Sequence, residues 1–180
     1  MKESDITSCE KPHGVADLAC QKYPGDLVEI GLGHGETTRF LLPVAARYSR
    51  KVVGIDHYGE DMPKSYIYRK EDMLDTVKKT GYASHFEHHN VSSLSAEAED
   101  ALFTRRLAFA FVDGLQFKRA VMADLELVKT AGIIVVDDAM RRTMESQVPD
   151  ALNDWNCDRE RVYFGSNSRY CALVCPDFFE

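Results

Sequence analysis

Long apolar runs are missing from this 180-residue sequence. No stretch approaches the ~20 apolar residues that a membrane-spanning helix requires, and Met1-Lys2-Glu3-Ser4-Asp5 has no apolar signal segment. The expectation is a cytoplasmic protein with no membrane partner. Concentrated positive charge is missing as well. Twenty-two Lys and Arg stand against 29 Asp and Glu, for a net charge of −7, and basic residues gather only in pairs such as Arg105-Arg106 and Arg141-Arg142. Phosphate backbones are gripped by clustered cations, so nucleic acid is excluded as the main partner. The five cysteines, Cys9, Cys20, Cys157, Cys171 and Cys175, are odd in number and contain no Cys-x-x-Cys pair. A complete disulfide framework and a cysteine-type zinc site are therefore excluded, and the thiols read as reduced and mostly buried. Neither Gly-x-Gly-x-x-Gly nor Gly-x-x-x-x-Gly-Lys-Ser/Thr occurs, which argues against dinucleotides and against a P-loop.

What is present centres on residues 27–40: Leu27-Val28-Glu29-Ile30-Gly31-Leu32-Gly33-His34-Gly35-Glu36-Thr37-Thr38-Arg39-Phe40. An apolar run, glycines at every second position and a helix-forming segment spell strand, tight turn and helix start. Glycines let a ligand approach the backbone, and the free N–H groups of a helix start are electron-poor. Glu36 stands where a dinucleotide fingerprint needs its third glycine, and its carboxylate would repel a pyrophosphate.

Alternating strand and helix patterns follow. Pro12 to Lys22 suits a short helix, and residues 1–11 read as polar and frayed at their start. Thr37 to Ser49 suits a helix in which Pro43 should cause a kink or a late start. Lys51 to Asp56 is a buried strand ending in an acid, followed by a long segment, residues 57–84, whose first part, 57–68, could act as a lid over the acceptor. A helix is expected from Lys64 to Lys79. His85 to Val91 reads as an edge strand with solvated histidines rather than a metal site, since His88 faces away from His85 and His89. Strands ending at Asp113 and at Asp137-Asp138 alternate with helices over 95–104, 117–130 and 146–155, and residues 161–175 form a hairpin. Glu29, Asp56, Asp113, Asp137 and Asp138 thus share one edge of a parallel sheet, the edge where ligands bind. Like charges gathered there require cations.

The string Glu29-x-Gly31-x-Gly33-x-Gly35, the acid at Asp56 and the terminal hairpin resemble class I S-adenosylmethionine-dependent methyltransferases over about residues 25–176. The resemblance implies one Rossmann-like α/β domain over residues 1–180, with a short N-terminal segment, 1–24, and a core over 25–176. That core is a three-layer sandwich whose mostly parallel, seven-stranded sheet ends in an antiparallel hairpin. It implies cofactor contacts from Glu29, Gly31, Gly33, Gly35, Glu36, Thr37, Asp56, His57, Ser92, Ser93 and Asp113, with Asp56 on the ribose diol. The acids ending the fourth and fifth strands are similar to those of small-molecule metal-dependent O-methyltransferases. This implies that Asp113, Asp137 and Asp138 hold Mg²⁺, or Mn²⁺ or Ca²⁺, and the acceptor's proton would leave through Asp113, His57, His34 or water, with Asp113 and His57 the catalytic candidates. The acceptor would be a small hydroxylated molecule, and a homodimer could complete its site. Two departures stand out: Asp113-Gly114-Leu115-Gln116 lacks the histidine common in that group, and Ser92-Ser93 lacks the acid usually found beside the adenine. Metal-independent N- or O-transfer, or a nucleoside-binding module without methyl transfer, remain the alternatives.

Overall fold

The computed structural model describes residues 1–58, 69–141 and 146–179. Six consecutive apolar residues leave β4 (Leu107–Val112) without a polar face, and such a strand must be covered on both sides. It lies mid-sheet beside β1 (Asp26–Ile30), with β2 (Val52–Ile55) and the edge strand β3 (Phe86–His89) beyond β1. On its other side come β5 (Ile133–Val136), then β7 (Tyr170–Val174), then β6 (Glu160–Phe164). The seven strands run in the order β3-β2-β1-β4-β5-β7-β6. The first five are mutually parallel, and β7 is antiparallel to both β5 and β6. The expected sheet and its terminal hairpin are therefore present.

Alternate strand residues feed two cores. Leu27, Phe109 and Ile133 face one layer, which contains α1 (Glu3–Thr7), α2 (Pro12–Lys22), α3 (Thr38–Arg47) and α4 (Lys70–Lys79). Val28, Ala110 and Ile134 face the other, formed by α5 (Ala96–Leu102), α6 (Lys118–Leu127) and α7 (Val148–Asp154). Each fully buried Leu, Ile or Phe side chain contributes about 1.5–3 kcal/mol, and both faces are lined with them.

Three local expectations need correcting. Residues 1–11 hold a helix that was not expected, Glu3–Thr7, whose one large apolar residue, Ile6, is 0% exposed in the core. Of the two effects expected of Pro43, the late start is absent, since α3 begins at Thr38 with Pro43 inside it. The edge histidines are half-buried and engaged rather than solvated, because an edge strand still has two faces and aromatic groups cover one of them. His88 stacks on Phe86 and meets Tyr58 edge-on, His85 Nδ1 lies 2.7 Å from the Arg50 carbonyl, and His89 Nε2 lies 2.7 Å from Glu87. The part of the expected lid over 59–68 lies outside the described residues, as does the start of the helix expected from Lys64. All five cysteines are free, with Cys20 and Cys171 buried and the other three half-buried. No described helix is long and apolar enough to cross a membrane.

Candidate active site

The glycine turn leaves β1 at Gly31, where φ is 83° and an added Cβ would stand 2.2 Å from the Asp113 carbonyl oxygen. Only glycine lets the exit of β1 lie against the exit of β4, and Asp113 N–H donates to the Ile30 carbonyl at 2.9 Å to fix that approach. Gly33 and Gly35 also have positive φ, 50° and 80°. Asp56, at the end of β2, uses Oδ2 to accept the backbone N–H of Leu32 at 2.7 Å and of Gly33 at 3.1 Å. The Tyr58 hydroxyl donates to the Gly33 carbonyl at 2.8 Å. Asp56 Oδ1 takes part in neither backbone bond. The turn is thus held from both sides, and the Tyr58 side chain also bonds to the Asp56 carboxylate.

Glu29, expected as a cofactor contact, lies beneath the turn at 1% exposure and accepts the Thr38 hydroxyl at 2.7 Å. Burial pushes its pKa up to about 8, the Thr38 bond opposes this, and the charges of Asp113 and Asp56 add to it. Its direct partner is the first residue of α3. Glu36 points outward and pairs with Arg39 at 2.7 Å. Thr37 is half-buried at the start of α3 and makes no side-chain cap. His57 follows Asp56 and is half-buried. Because β1 separates β2 from β4, His57 and Asp113 leave strands about 10 Å apart.

On the far side of the turn, Ser92 Oγ accepts the Leu94 N–H at 3.2 Å, and the Ser93 hydroxyl bonds to Asp124 of α6. Asp124 is 1% exposed, and its Oδ1 is buried without a hydrogen-bond partner. Burial pushes its pKa up to about 7. A buried acid from a helix thus stands behind the loop that follows β3. A signal existed in the sequence, since Asp124 falls between Val121 and Leu125 on the inward stripe of α6.

Asp113, Asp137 and Asp138 come together as expected, but they are not arranged around a vacant cation position. Asp137 is 3% exposed, and its Oδ1 accepts Arg169 Nε at 2.6 Å and the Asp138 N–H at 2.7 Å. Its Oδ2 accepts Arg169 Nη2. Asp138 Oδ2 accepts Gln116 Nε2 at 2.7 Å and Arg141 Nη1 at 3.0 Å. Asp113 bonds to Asp137. Its side chain reaches solvent, but its carboxyl stands in a recess, and the lost hydration, followed by the Asp137 charge, pushes its pKa above the usual carboxylate range against the pull of Arg169.

Among the described residues, no group of three or more His, Cys, Asp or Glu is disposed to hold a metal ion. The expected Asp113, Asp137 and Asp138 set does not fit a divalent ion here, because a guanidinium fork already occupies both oxygens of Asp137. Arg169 went unread in the sequence because a basic residue near a hairpin tip carries no local signal.

A parallel sheet with a terminal antiparallel pair, a glycine turn after β1 and an acid at the end of β2 define a nucleoside-cofactor transferase of the class I methyltransferase type. A family model described as a methyltransferase domain matches residues 28–139. The chain belongs to that family and is an S-adenosylmethionine-dependent methyltransferase. It is similar in structure to the O-methyltransferase NovP, with a TM-score of 0.68 and 18% identity over 96% of this chain and 78% of that one. It is also similar to the O-methyltransferase TomG of Streptomyces achromogenes, solved with S-adenosylmethionine, with a TM-score of 0.60 and 16% identity over 91% and 77% of the two chains. A putative caffeoyl-CoA O-methyltransferase of Staphylococcus aureus gives a TM-score of 0.65 and 9% identity over 91% and 82%. At these identities the likeness is one of fold. No curated protein matches the chain.

Proposed function

We propose that this methyltransferase acts on an oxygen of a small hydroxylated molecule, with Asp113 taking the acceptor's proton. The observation that carries the reading is the close approach of Gly31 to the Asp113 backbone, which brings the exit of β4 against the turn. Gly31, Gly33 and Gly35 would cradle the amino-acid half of the cofactor, Asp56 Oδ1 would take the ribose diol, and the unpartnered Asp124 oxygen with Ser93 would lie toward the base. S-adenosylmethionine supplies an electrophilic sulfonium methyl. Asp113 receives the hydroxyl proton as the new O–CH₃ bond forms and the C–S bond breaks, its electron pair returning to sulfur. In the ionised form that the step requires, a carboxylate with a raised pKa is the stronger base, so the proton Asp113 shares with Asp137 has to leave first. Positioning carries most of the remaining rate.

Exposed Leu115, Phe117 and Met140 follow β4 and β5 and suit an apolar or aromatic acceptor body. The structural likeness to NovP and TomG supports transfer to oxygen. Metal assistance, implied by the sequence resemblance, is not carried into this reading, since the oxygens it needs are engaged by Arg169, Gln116 and Arg141. The same pairing disfavours a cationic amine as acceptor. A panel of hydroxylated aromatic molecules incubated with methyl-labelled S-adenosylmethionine tests the proposal. Label should enter an ether with wild-type protein and be lost with Asp113→Asn. Label entering amines, or an undiminished Asp113→Asn, would sink it.

A further inference from the structure

We propose that Arg169 is the resident cation of the acid cluster, filling the place that a divalent ion takes in the metal-dependent group this sequence resembles, so that methyl transfer here needs no metal. The inference rests on the methyltransferase reading but concerns a different set of atoms from those that hold the cofactor.

Charge makes the case first. Asp137 is almost fully buried, and a carboxylate in that position requires a partner of opposite sign. Arg169 meets it with two nitrogens on two oxygens, a planar match that adds direction to charge. Lone-pair accounting follows. Asp137 Oδ1 has a second donor in the Asp138 N–H, and Asp138 Oδ2 holds both Gln116 and Arg141. A Mg²⁺ or Mn²⁺ ion draws its oxygens in to about 2.1 Å and would have to expel these donors to do so.

The arginine is also built in. Its guanidinium lies over the Tyr170 ring, 5.3 Å from the centroid, and its carbonyl accepts the Ala139 N–H at 2.8 Å, tying the start of β7 to the segment that leaves β5. Gln116 stands where the related group often has a histidine, and here its amide serves as a clamp on Asp138. Its side chain half-exposed, Arg169 keeps Nη1 outside both Asp137 bonds, so the cation can face an acceptor oxygen as negative charge develops there.

Mn²⁺ titration followed by electron paramagnetic resonance, on wild type and on Arg169→Ala, tests this directly. Wild type should leave the Mn²⁺ signal unchanged up to about 1 mM, the range of weak surface sites. Arg169→Ala, which uncovers the acids, should bind Mn²⁺ at least about tenfold more tightly, and adding Asp137→Asn should abolish the gain. If Arg169→Ala does not fold, Arg169→Gln replaces it, and the wild-type titration alone still decides. Micromolar Mn²⁺ binding by wild type that Asp137→Asn removes, or no gain in either Arg169 variant, would overturn the proposal. S-adenosylhomocysteine binding measured on wild-type protein keeps the two readings apart: its absence would strike the methyltransferase reading, whatever Mn²⁺ does.

Discussion

The carboxylate of Asp56 accepts the backbone N–H of Leu32 across 2.7 Å, joining the end of β2 to the turn that follows β1. The acid proposed for the ribose is therefore also the acid that shapes the turn. Two charge-assisted bonds, to Leu32 and Gly33, are lost together in Asp56→Ala, and each is worth about 1.5–3 kcal/mol. Asp56→Ala should weaken S-adenosylhomocysteine binding about 100-fold and also lower the melting temperature of the free protein. Calorimetric titration with parallel thermal unfolding checks both. A loss of affinity without any loss of stability would mean that the backbone bonds do not hold the turn.

Glu29 and Asp124 give the fold a pH dependence of definite sign. Glu29 titrates near 8 in the folded chain against an ordinary 4.5, and Asp124 near 7 against 3.8. As pH rises from about 4.5 the unfolded chain releases these protons first, so the stabilisation that is full below the ordinary value is lost progressively toward pH 8. Glu29→Gln keeps the bulk without the charge. Its melting temperature should therefore fall less steeply than that of wild type between about pH 5 and pH 8. Parallel slopes would show that Glu29 ionises in the folded state as easily as in solution.

Two glycines with similar backbone angles should respond very differently to alanine. At Gly81, with φ of 77°, an added Cβ meets nothing within 4 Å, so the cost is the left-handed conformation, about 1 kcal/mol. At Gly31 the Cβ would also overlap the Asp113 carbonyl, at the exit of β4, where the bond from Asp113 N–H to Ile30 holds the backbone in place. Gly31→Ala should cost at least about 3 kcal/mol in urea unfolding, or fail to fold. Equal costs at the two positions would mean that β1 and β4 do not approach as described.

The acceptor surface offers a separate test. Phe117 is exposed at the start of α6, after the strand that carries Asp113. With an aromatic acceptor, Phe117→Ser should raise the acceptor KM about tenfold and leave S-adenosylhomocysteine affinity unchanged. An unchanged KM would place the acceptor elsewhere.

How much of this was legible in the sequence depends on how local each signal is. Asp56 and the glycine turn were readable because a strand, its terminal acid and its glycines lie close together in the chain. Asp124 carried a signal, a carboxylate on the inward stripe of α6, but its partner Ser93 comes from another loop and no spacing links the two. Arg169 meets Asp137 across 32 residues, through the antiparallel pairing of β7 with β5, and no spacing rule reaches that contact. The acids alone did show that a cation was required. They could not say that the chain supplies it. Ile6 was missed because a single apolar residue among polar neighbours gives no period.

The most direct test of the central claim is calorimetric titration of S-adenosylhomocysteine into wild-type protein, once with Mg²⁺ and once with EDTA. Saturable one-to-one binding of equal affinity in both buffers is the predicted result. No binding in either buffer would contradict the assignment of the turn and Asp56 to a methyl-donor cofactor.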